Sequence, residues 1–374
     1  MSSFLMIGYG TMGKIHAAKI KASSQLADLV IVDINPECLQ TARKDGYVTF
    51  SDFDSAYQWL KEQDKPEFDV LVVTSNTATH YEYLQKAIQR SVKNNVSLPA
   101  MFVEKPIVAT AQEALQLQAY LKEAGLVDNL TFMCAYLLRE SPAVARLIEK
   151  IKEADDSIKE VKIVWQKQRK PERPSAGVVQ DEATHSLDLV QHVMRELGMD
   201  IDAKDLEILS AERTTKIIDQ KAQNALYPEG DKNRNPIAEI EYKLQLGKVK
   251  VAGFSSFLIG PQQRSIEFVG EDATYKLEFD KDKADWCDEE SFQNDKIAKL
   301  WDIFFDMMET GSASKRVESF YQSISDVQLT DLLEAKADQY LQMQQSANTL
   351  LFAFQANTTS SEETIKETNK PKLD

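Results

Sequence analysis

The chain has 374 residues, enough for two domains at roughly 100–200 residues each. Its 43% hydrophobic and 28% charged residues are the balance of a soluble globular protein with a sizeable core. Acids outnumber bases 59 to 44 for a net charge of −15, which repels nucleic acid and anionic lipid and argues against either as a partner. No apolar run approaches the ~18 residues that a membrane helix needs, and the opening MSSFLMIGYG lacks the basic region of a signal peptide. Cys38, Cys134 and Cys287 are odd in number and far apart. That argues against a disulfide framework or a zinc cluster and fits the reducing cytoplasm.

The first 135 residues alternate short apolar runs with amphipathic stretches. Phe4–Gly8, Leu29–Asp33, Phe68–Val73, Ala100–Glu104 and Leu130–Cys134 read as buried strands. Thr11–Ser23, Pro36–Lys44, Thr77–Arg90 and Thr110–Ala124 read as helices, the last opened by a Thr110/Glu113 capping box and closed by Gly125. Such alternation predicts a parallel sheet covered on both faces.

From Lys159 onward the pattern changes. After a helix over Ser141–Lys152, the segments Lys159–Gln168, Leu206–Lys216, Ile237–Leu246, Lys248–Leu258, Arg264–Gly270 and Thr274–Phe279 alternate polar and apolar residues, as half-exposed strands do. They predict a mostly antiparallel open sheet, with helices at His185–Leu197, Phe292–Glu309 and Val317–Leu341. The expected organisation is therefore α/β: an N-terminal doubly wound parallel sheet over 1–135, an α+β domain over 136–345, and a polar, partly disordered tail over 346–374 that is richest in Ser, Thr, Glu and Lys from Thr358.

Gly8-Tyr9-Gly10-Thr11-Met12-Gly13 is a G-x-G-x-x-G sequence placed where a strand runs into a helix. In that context Gly8 serves the tight turn, Gly10 the approach of a pyrophosphate, and Gly13 close helix–strand packing, with Thr11 and Met12 supplying helix N-terminal N–H groups. Asp33 ends the second strand twenty residues beyond Gly13. A carboxylate there accepts from the two ribose hydroxyls and repels a 2′-phosphate, which favours NAD over NADP. His16, on the first turns of the helix, reads as structural.

Substrate chemistry belongs beyond the carboxyl ends of the strands. Two such ends carry polar residues: Ser75, Asn76 and His80 after the third apolar run, and Glu104-Lys105-Pro106 after the fourth. Lys105 reads equally well as a solvated loop lysine. A third candidate is Asp181-Glu182-Ala183-Thr184-His185, where a spacing of four puts Asp181 and His185 on one α-helical face. A neutral imidazole poised by a carboxylate is a natural base for a hydroxyl proton. The same segment also reads as a helix N-cap with a polar face, continued by Asp188 and His192. Two ligands are too few for a metal site, so none is expected. The basic run Lys167–Arg173 reads as a solvated loop or as a cradle for a phosphate or carboxylate.

GYGTMGKIH, Glu104-Lys105-Pro106 and DEATHSLD (Asp181–Asp188) together resemble the Gfo/Idh/MocA family, named after glucose–fructose oxidoreductase and inositol dehydrogenase. CAYLLRESP (Cys134–Pro142) and RSIEFVGEDATYKLEF (Arg264–Phe279) are similar to further family segments, so the resemblance runs over roughly residues 3–340. It implies a Rossmann domain followed by an α/β domain whose open sheet builds homodimers or homotetramers. It also implies hydride transfer between NAD and a carbinol or carbonyl of a sugar, cyclitol or nucleotide sugar. Carried over by motif position, His185 is the general base, Lys105 polarises the oxygen, and Asp181 orients His185 or binds a substrate hydroxyl. Tyr136 borders the substrate pocket, and Ser75, Asn76, His80 and Glu104 lie on the cofactor side. The competing expectations are a non-catalytic NAD-binding sensor on the same fold and a reductase of a non-sugar carbonyl. The polar stretch Ser91–Met101, the single glycine before Asp181 and the acidic insertion Asp280–Asp295 depart from the family pattern.

Overall fold

The computed structural model describes residues 1–65, 67–168, 175–213, 220–226, 235–280, 295–310 and 313–368. The N-terminal elements alternate as β1 (Ser2–Ile7), α1 (Thr11–Ala22), β2 (Leu26–Val32), α2 (Pro36–Lys44), β3 (Val48–Phe50), α3 (Phe53–Glu62), β4 (Val70–Val73), α4 (His80–Asn94), β5 (Ala100–Val103), α5 (Ala111–Glu123) and β6 (Phe132–Cys134). The strands form one parallel sheet in the order β3-β2-β1-β4-β5-β6. Every residue from Val70 to Val73 is fully buried, as expected of a strand covered on both faces. The capping box over Thr110 and Glu113 forms, and Gly125 follows the helix at φ +66°. β3 and α3 were not expected. β3 has only three residues, too few for a period, and α3 starts at Asp52, whose carboxylate accepts the Ser55 N–H.

The second sheet is built from β7 (Glu160–Gln166), β8 (Ala203–Arg213), β9 (Ile237–Leu246), β10 (Val249–Ser256), β11 (Gln263–Val269) and β12 (Thr274–Glu278). Its order is β12-β11-β7-β10-β9-β8, antiparallel except for the central β7–β10 pair. Val161, Ile163, Trp165, Tyr242, Leu244 and Val251 face a core shared with α6 (Pro142–Ala154), α7 (Thr184–Glu196) and α10 (Ala313–Thr368). Lys162, Glu241, Lys243 and Lys250 project from the other face. A short α8 (Gln220–Leu226) lies between β8 and β9.

Two features cut across the expected boundaries. α9 (Lys296–Thr310) packs on the N-terminal sheet, where Trp301 stacks on Phe102 at 4.1 Å and Phe304 meets both rings edge-on. α10 lays Phe320, Ile324 and Val327 into the N-terminal core and Leu329, Leu333 and Ala337 into the other. It is also helical through residues 346–368, a stretch read from composition as tail. Residues 281–294 of the acidic insertion and 169–173 of the basic run lie outside the described residues.

Candidate active site

The carboxyl ends of β1, β4 and β5 are adjacent in the sheet, so the glycine turn, Ser75 and Glu104 meet on one rim. Each glycine has its own constraint. Gly8 has φ +94° and lies so close to the β4–α4 turn that a Cβ would stand 2.7 Å from the Ser75 nitrogen. A Cβ on Gly13 would stand 2.3 Å from the Gly8 carbonyl oxygen. Around Gly10 there is nothing within 4 Å, and as N-cap of α1 it offers no side-chain oxygen to the first N–H groups. A glycine that touches no protein atom, over uncapped donors, leaves room for a phosphate oxygen. Asp33 is aimed at this space by N–H groups from Tyr9 (2.7 Å) and Asn35 (2.8 Å). One bond on each oxygen leaves lone pairs for ribose hydroxyls. Thr11, Met12, Gly13 and Asp33 therefore fit the dinucleotide reading.

The remaining cofactor-side expectations divide. Ser75 pairs its hydroxyl with Thr79, and Asn76 uses its side-chain oxygen to cap the following short turn through the Ala78 N–H. His80 does not reach the nucleotide side. It is 1% exposed, with Nδ1 at 3.0 Å from the Pro106 carbonyl and Nε2 at 3.1 Å from that of Ser75. Burial pushes its pKa down, and its role is to staple the β4 turn to the Glu104-Lys105-Pro106 loop. Glu104 is held by His16: the Trp301 indole N–H donates to Nδ1 at 3.0 Å, which leaves the proton on Nε2 to face Glu104 Oε1 at 2.8 Å. The structural reading of His16 stands, and its partner from α9 could not be foreseen in the sequence.

Lys105 reaches across to the second domain. Its ammonium donates to the carbonyls of Asp181 (3.0 Å) and Gln180 (3.4 Å) in a π-helical turn, Val179–Ala183, that precedes α7. Gln180 fixes that turn from behind by donating to Glu334 of α10 and to the Ala109 carbonyl. Irregular turns of this kind aim side chains that a regular helix would not.

The turn also overrides the α-helical spacing assumed for Asp181 and His185. Asp181 turns its carboxylate to the Ser175 hydroxyl at 2.7 Å instead of stacking on the imidazole. His185 is half-buried, and neither ring nitrogen is hydrogen-bonded among the described residues. Burial, then the charges of Lys105, Arg264 and Lys167, hold its pKa well below the usual histidine value. A neutral imidazole beside a lysine is the pairing that deprotonates a hydroxyl and stabilises the resulting oxygen charge.

Tyr136 differs from its expectation. It is 1% exposed, its hydroxyl meets Thr184 at 3.3 Å, and the Arg139 guanidinium lies over its ring. It supports the floor beneath α7 rather than facing a ligand. Arg139 bridges Asp188 of α7 and Asp326 of α10, so Asp188 also belongs to the framework. Sequence reading missed Glu182. It is buried and accepts from Trp165 (3.0 Å), Arg264 (2.8 Å) and Lys167. Its place between Asp181 and His185 is the one signal that was available. No group of three or more metal-ligating side chains occurs among the described residues, and no described helix is long and apolar enough to cross a membrane.

Residues 2–131 match the family described as "Oxidoreductase family, NAD-binding Rossmann fold" (GFO_IDH_MocA). The chain is 27% identical over 130 residues to scyllo-inositol 2-dehydrogenase (NAD(+)) of Bacillus subtilis, a match that covers 34% of each protein. It thus spans about a third of that curated relative's length. Among solved structures it is similar to the WlbA dehydrogenase of Bordetella pertussis in complex with NADH and UDP-GlcNAcA. That likeness has 17% identity and a TM-score of 0.65 over 90% of this chain and 95% of that one. It is also similar to scyllo-inositol dehydrogenase of Lactobacillus casei with bound NAD(H) and scyllo-inositol, with 16% identity and a TM-score of 0.63 over 88% and 95%. The likeness to the Gfo/Idh/MocA family model is thus confined to residues 2–131, and the solved structures carry the same two-domain fold through most of the chain.

Proposed function

We propose that the protein is an NAD-dependent oxidoreductase acting on a carbinol or carbonyl of a sugar, cyclitol or nucleotide sugar. The observation that carries this reading is the placement of the Lys105 ammonium on the π turn beside a neutral His185, on the rim that holds the Gly10 gap and Asp33. The N–H groups at the start of α1 hold the pyrophosphate and Asp33 holds the adenosine ribose. When bound, the nicotinamide supplies a hydride acceptor or donor. A ring nitrogen of His185 takes the hydroxyl proton as the carbinol becomes a carbonyl, and returns it in the opposite direction. Lys105 stabilises charge on the same oxygen. Asp181, oriented by Ser175, accepts from a neighbouring substrate hydroxyl. Glu104, fixed by His16, sets where the Lys105 backbone leaves β5.

The same reading makes the protein a cytoplasmic homodimer or homotetramer. The supporting feature is the face of the second sheet that displays Lys162, Glu241, Lys243 and Lys250, away from the helices.

The test is nicotinamide absorbance over a panel of sugars, inositols and nucleotide sugars, with NAD and NADP affinities measured on the same sample. Turnover is expected with NAD preferred, and His185→Ala and Lys105→Ala are each expected to lose about 100-fold or more in kcat. Tight NAD binding with no turnover on the whole panel would instead support the sensor reading.

A further inference from the structure

Lys105 is held at both ends. Its ammonium rests on the carbonyls of Asp181 and Gln180, and its main-chain N–H donates to Glu104 Oε2 at 3.3 Å. The other oxygen of Glu104, Oε1, meets His16 Nε2 at 2.8 Å. Behind His16, the Trp301 indole N–H donates to Nδ1 at 3.0 Å. Three side chains thus form a relay from α9, through α1, to the end of β5, and it finishes on the backbone of the lysine.

Chemistry gives the relay a direction. An indole nitrogen only donates, so Nδ1 of His16 must accept, and the ring proton stands on Nε2 to be donated to the carboxylate. With the proton on Nδ1 instead, Trp301 would face an N–H and the Nε2 lone pair would face a carboxylate oxygen. Water cannot repair that arrangement, because His16 is 0% and Trp301 2% exposed. Packing places the donor. Trp301 stacks on Phe102 at 4.1 Å with the rings 12° from parallel, and Phe102 meets His16 edge-on at 5.1 Å. Phe102 stands two residues before Glu104 on the same strand, so α9 grips that strand by its face and, through the relay, by its end. Burial alone demands a partner for an indole N–H, but not one whose other nitrogen leads to Lys105.

We propose that Trp301 is a positioning residue for Lys105: its N–H sets the His16 tautomer, the tautomer fixes the Glu104 carboxylate, and the carboxylate fixes the backbone from which the lysine reaches the substrate oxygen. This rests on the oxidoreductase reading of the same site. Lysine carries its charge on a flexible aliphatic stem, and a misplacement of about 1 Å at a reacting centre costs about 100-fold in rate. Securing the base of the stem as well as its tip removes that freedom.

The test isolates the N–H by replacing Trp301 with 3-benzothienylalanine, which keeps the fused ring and its stacking but carries sulfur in place of the donor. Trp301→Phe is the second variant. The full chain is read in three ways: nitrogen-15 histidine spectra for the His16 tautomer, assigned by its absence in His16→Asn; the Lys105 backbone amide resonance; and steady-state kinetics on a substrate turned over in the panel above. The parent is expected to hold His16 as the Nε2–H form alone. In both variants the tautomers are expected to mix, the Lys105 amide to shift and kcat to fall about tenfold, with NAD affinity and substrate KM within about twofold of the parent. A pure Nε2–H form in the benzothienyl variant, or an unmoved Lys105 amide, overturns the proposal. So does an unchanged kcat when both resonances have moved. A kcat loss matched by an equal loss of NAD affinity also overturns it, because Trp301 then only fastens α9 to the sheet. If the parent turns over nothing on the panel, the oxidoreductase reading falls by itself, and the two resonances still decide whether Trp301 controls Lys105.

Discussion

Gly10 and Gly13 belong to one sequence motif but answer to different constraints. A Cβ on Gly13 collides with the Gly8 carbonyl, whereas a Cβ on Gly10 meets no protein atom. Gly10→Ala is therefore expected to fold with a stability within about 1 kcal/mol of the parent and to lose NAD affinity by about tenfold or more, because the methyl fills the space of a phosphate oxygen. Gly13→Ala is expected to cost both fold and affinity. Denaturant melts and NADH fluorescence titrations on the two variants check this, and undiminished affinity in Gly10→Ala would show that the pyrophosphate lies elsewhere. At this scale the sequence was informative where local packing and chain position coincide, as at Gly8 and Gly13, where an added Cβ would collide with the backbone. It misled where a polar residue near a strand end is used by the protein itself. Both ring nitrogens of His80 face main-chain carbonyls and the Tyr136 hydroxyl meets Thr184, and nothing in residue type or spacing separates such groups from ligand contacts.

Between elements, the site depends on how α7 is fixed. The π turn ahead of it decides where Asp181 and His185 point. That turn is produced by tertiary ties, Lys105 and Gln180 on one side and Glu182 on the other, so spacing alone returns an ordinary helix. Behind α7, Arg139 clamps Asp188 to Asp326 of α10, and Gln191 donates to Asp326 at 2.8 Å. Burial first, then the adjacent Asp188 charge, raises the Asp326 pKa well above the usual carboxylate value. The folded protein thus keeps a proton that the unfolded chain, titrating near pH 4, has released. Stability from this group is full below that unfolded value and is lost as pH rises toward the folded one, by up to about 1.4 kcal/mol per pH unit. Asp326→Asn mimics the protonated form and has no such loss. The stability of the parent relative to Asp326→Asn is therefore expected to fall between pH 5 and pH 8, read as urea midpoints at fixed ionic strength. A difference that stays flat with pH would show that Asp326 is ionised and paired with Arg139 throughout.

For the whole molecule, the chain's return path matters most. Strand pattern read residues 1–135 as one unit, and all strands of the parallel sheet do lie there. One face of that sheet, however, is covered by α9, with Leu300, Trp301, Phe304, Phe305 and Met307 packed on Phe4, Met6 and Phe102. An amphipathic pattern states how much apolar surface a helix must bury but not which surface it buries it against, so this docking was not legible in advance. At about 1.5–3 kcal/mol per buried large side chain, these five residues contribute on the order of 10 kcal/mol to the N-terminal sheet. That matches the whole net stability of an ordinary domain. α10 then joins the two cores by contributing side chains to each. The two sheets are thus expected to melt in one cooperative transition, with the calorimetric enthalpy close to the van't Hoff value. Truncation after Asp280 is expected to leave an N-terminal half that binds hydrophobic dye and melts without cooperativity. Two resolved transitions in the full chain, or a truncated chain with a sharp melt of its own, would show that the N-terminal sheet is stable without α9. Lys105 bridges the two halves within the same unit, so a single transition also means that its bond to the Asp181 carbonyl is lost only when the whole fold is lost.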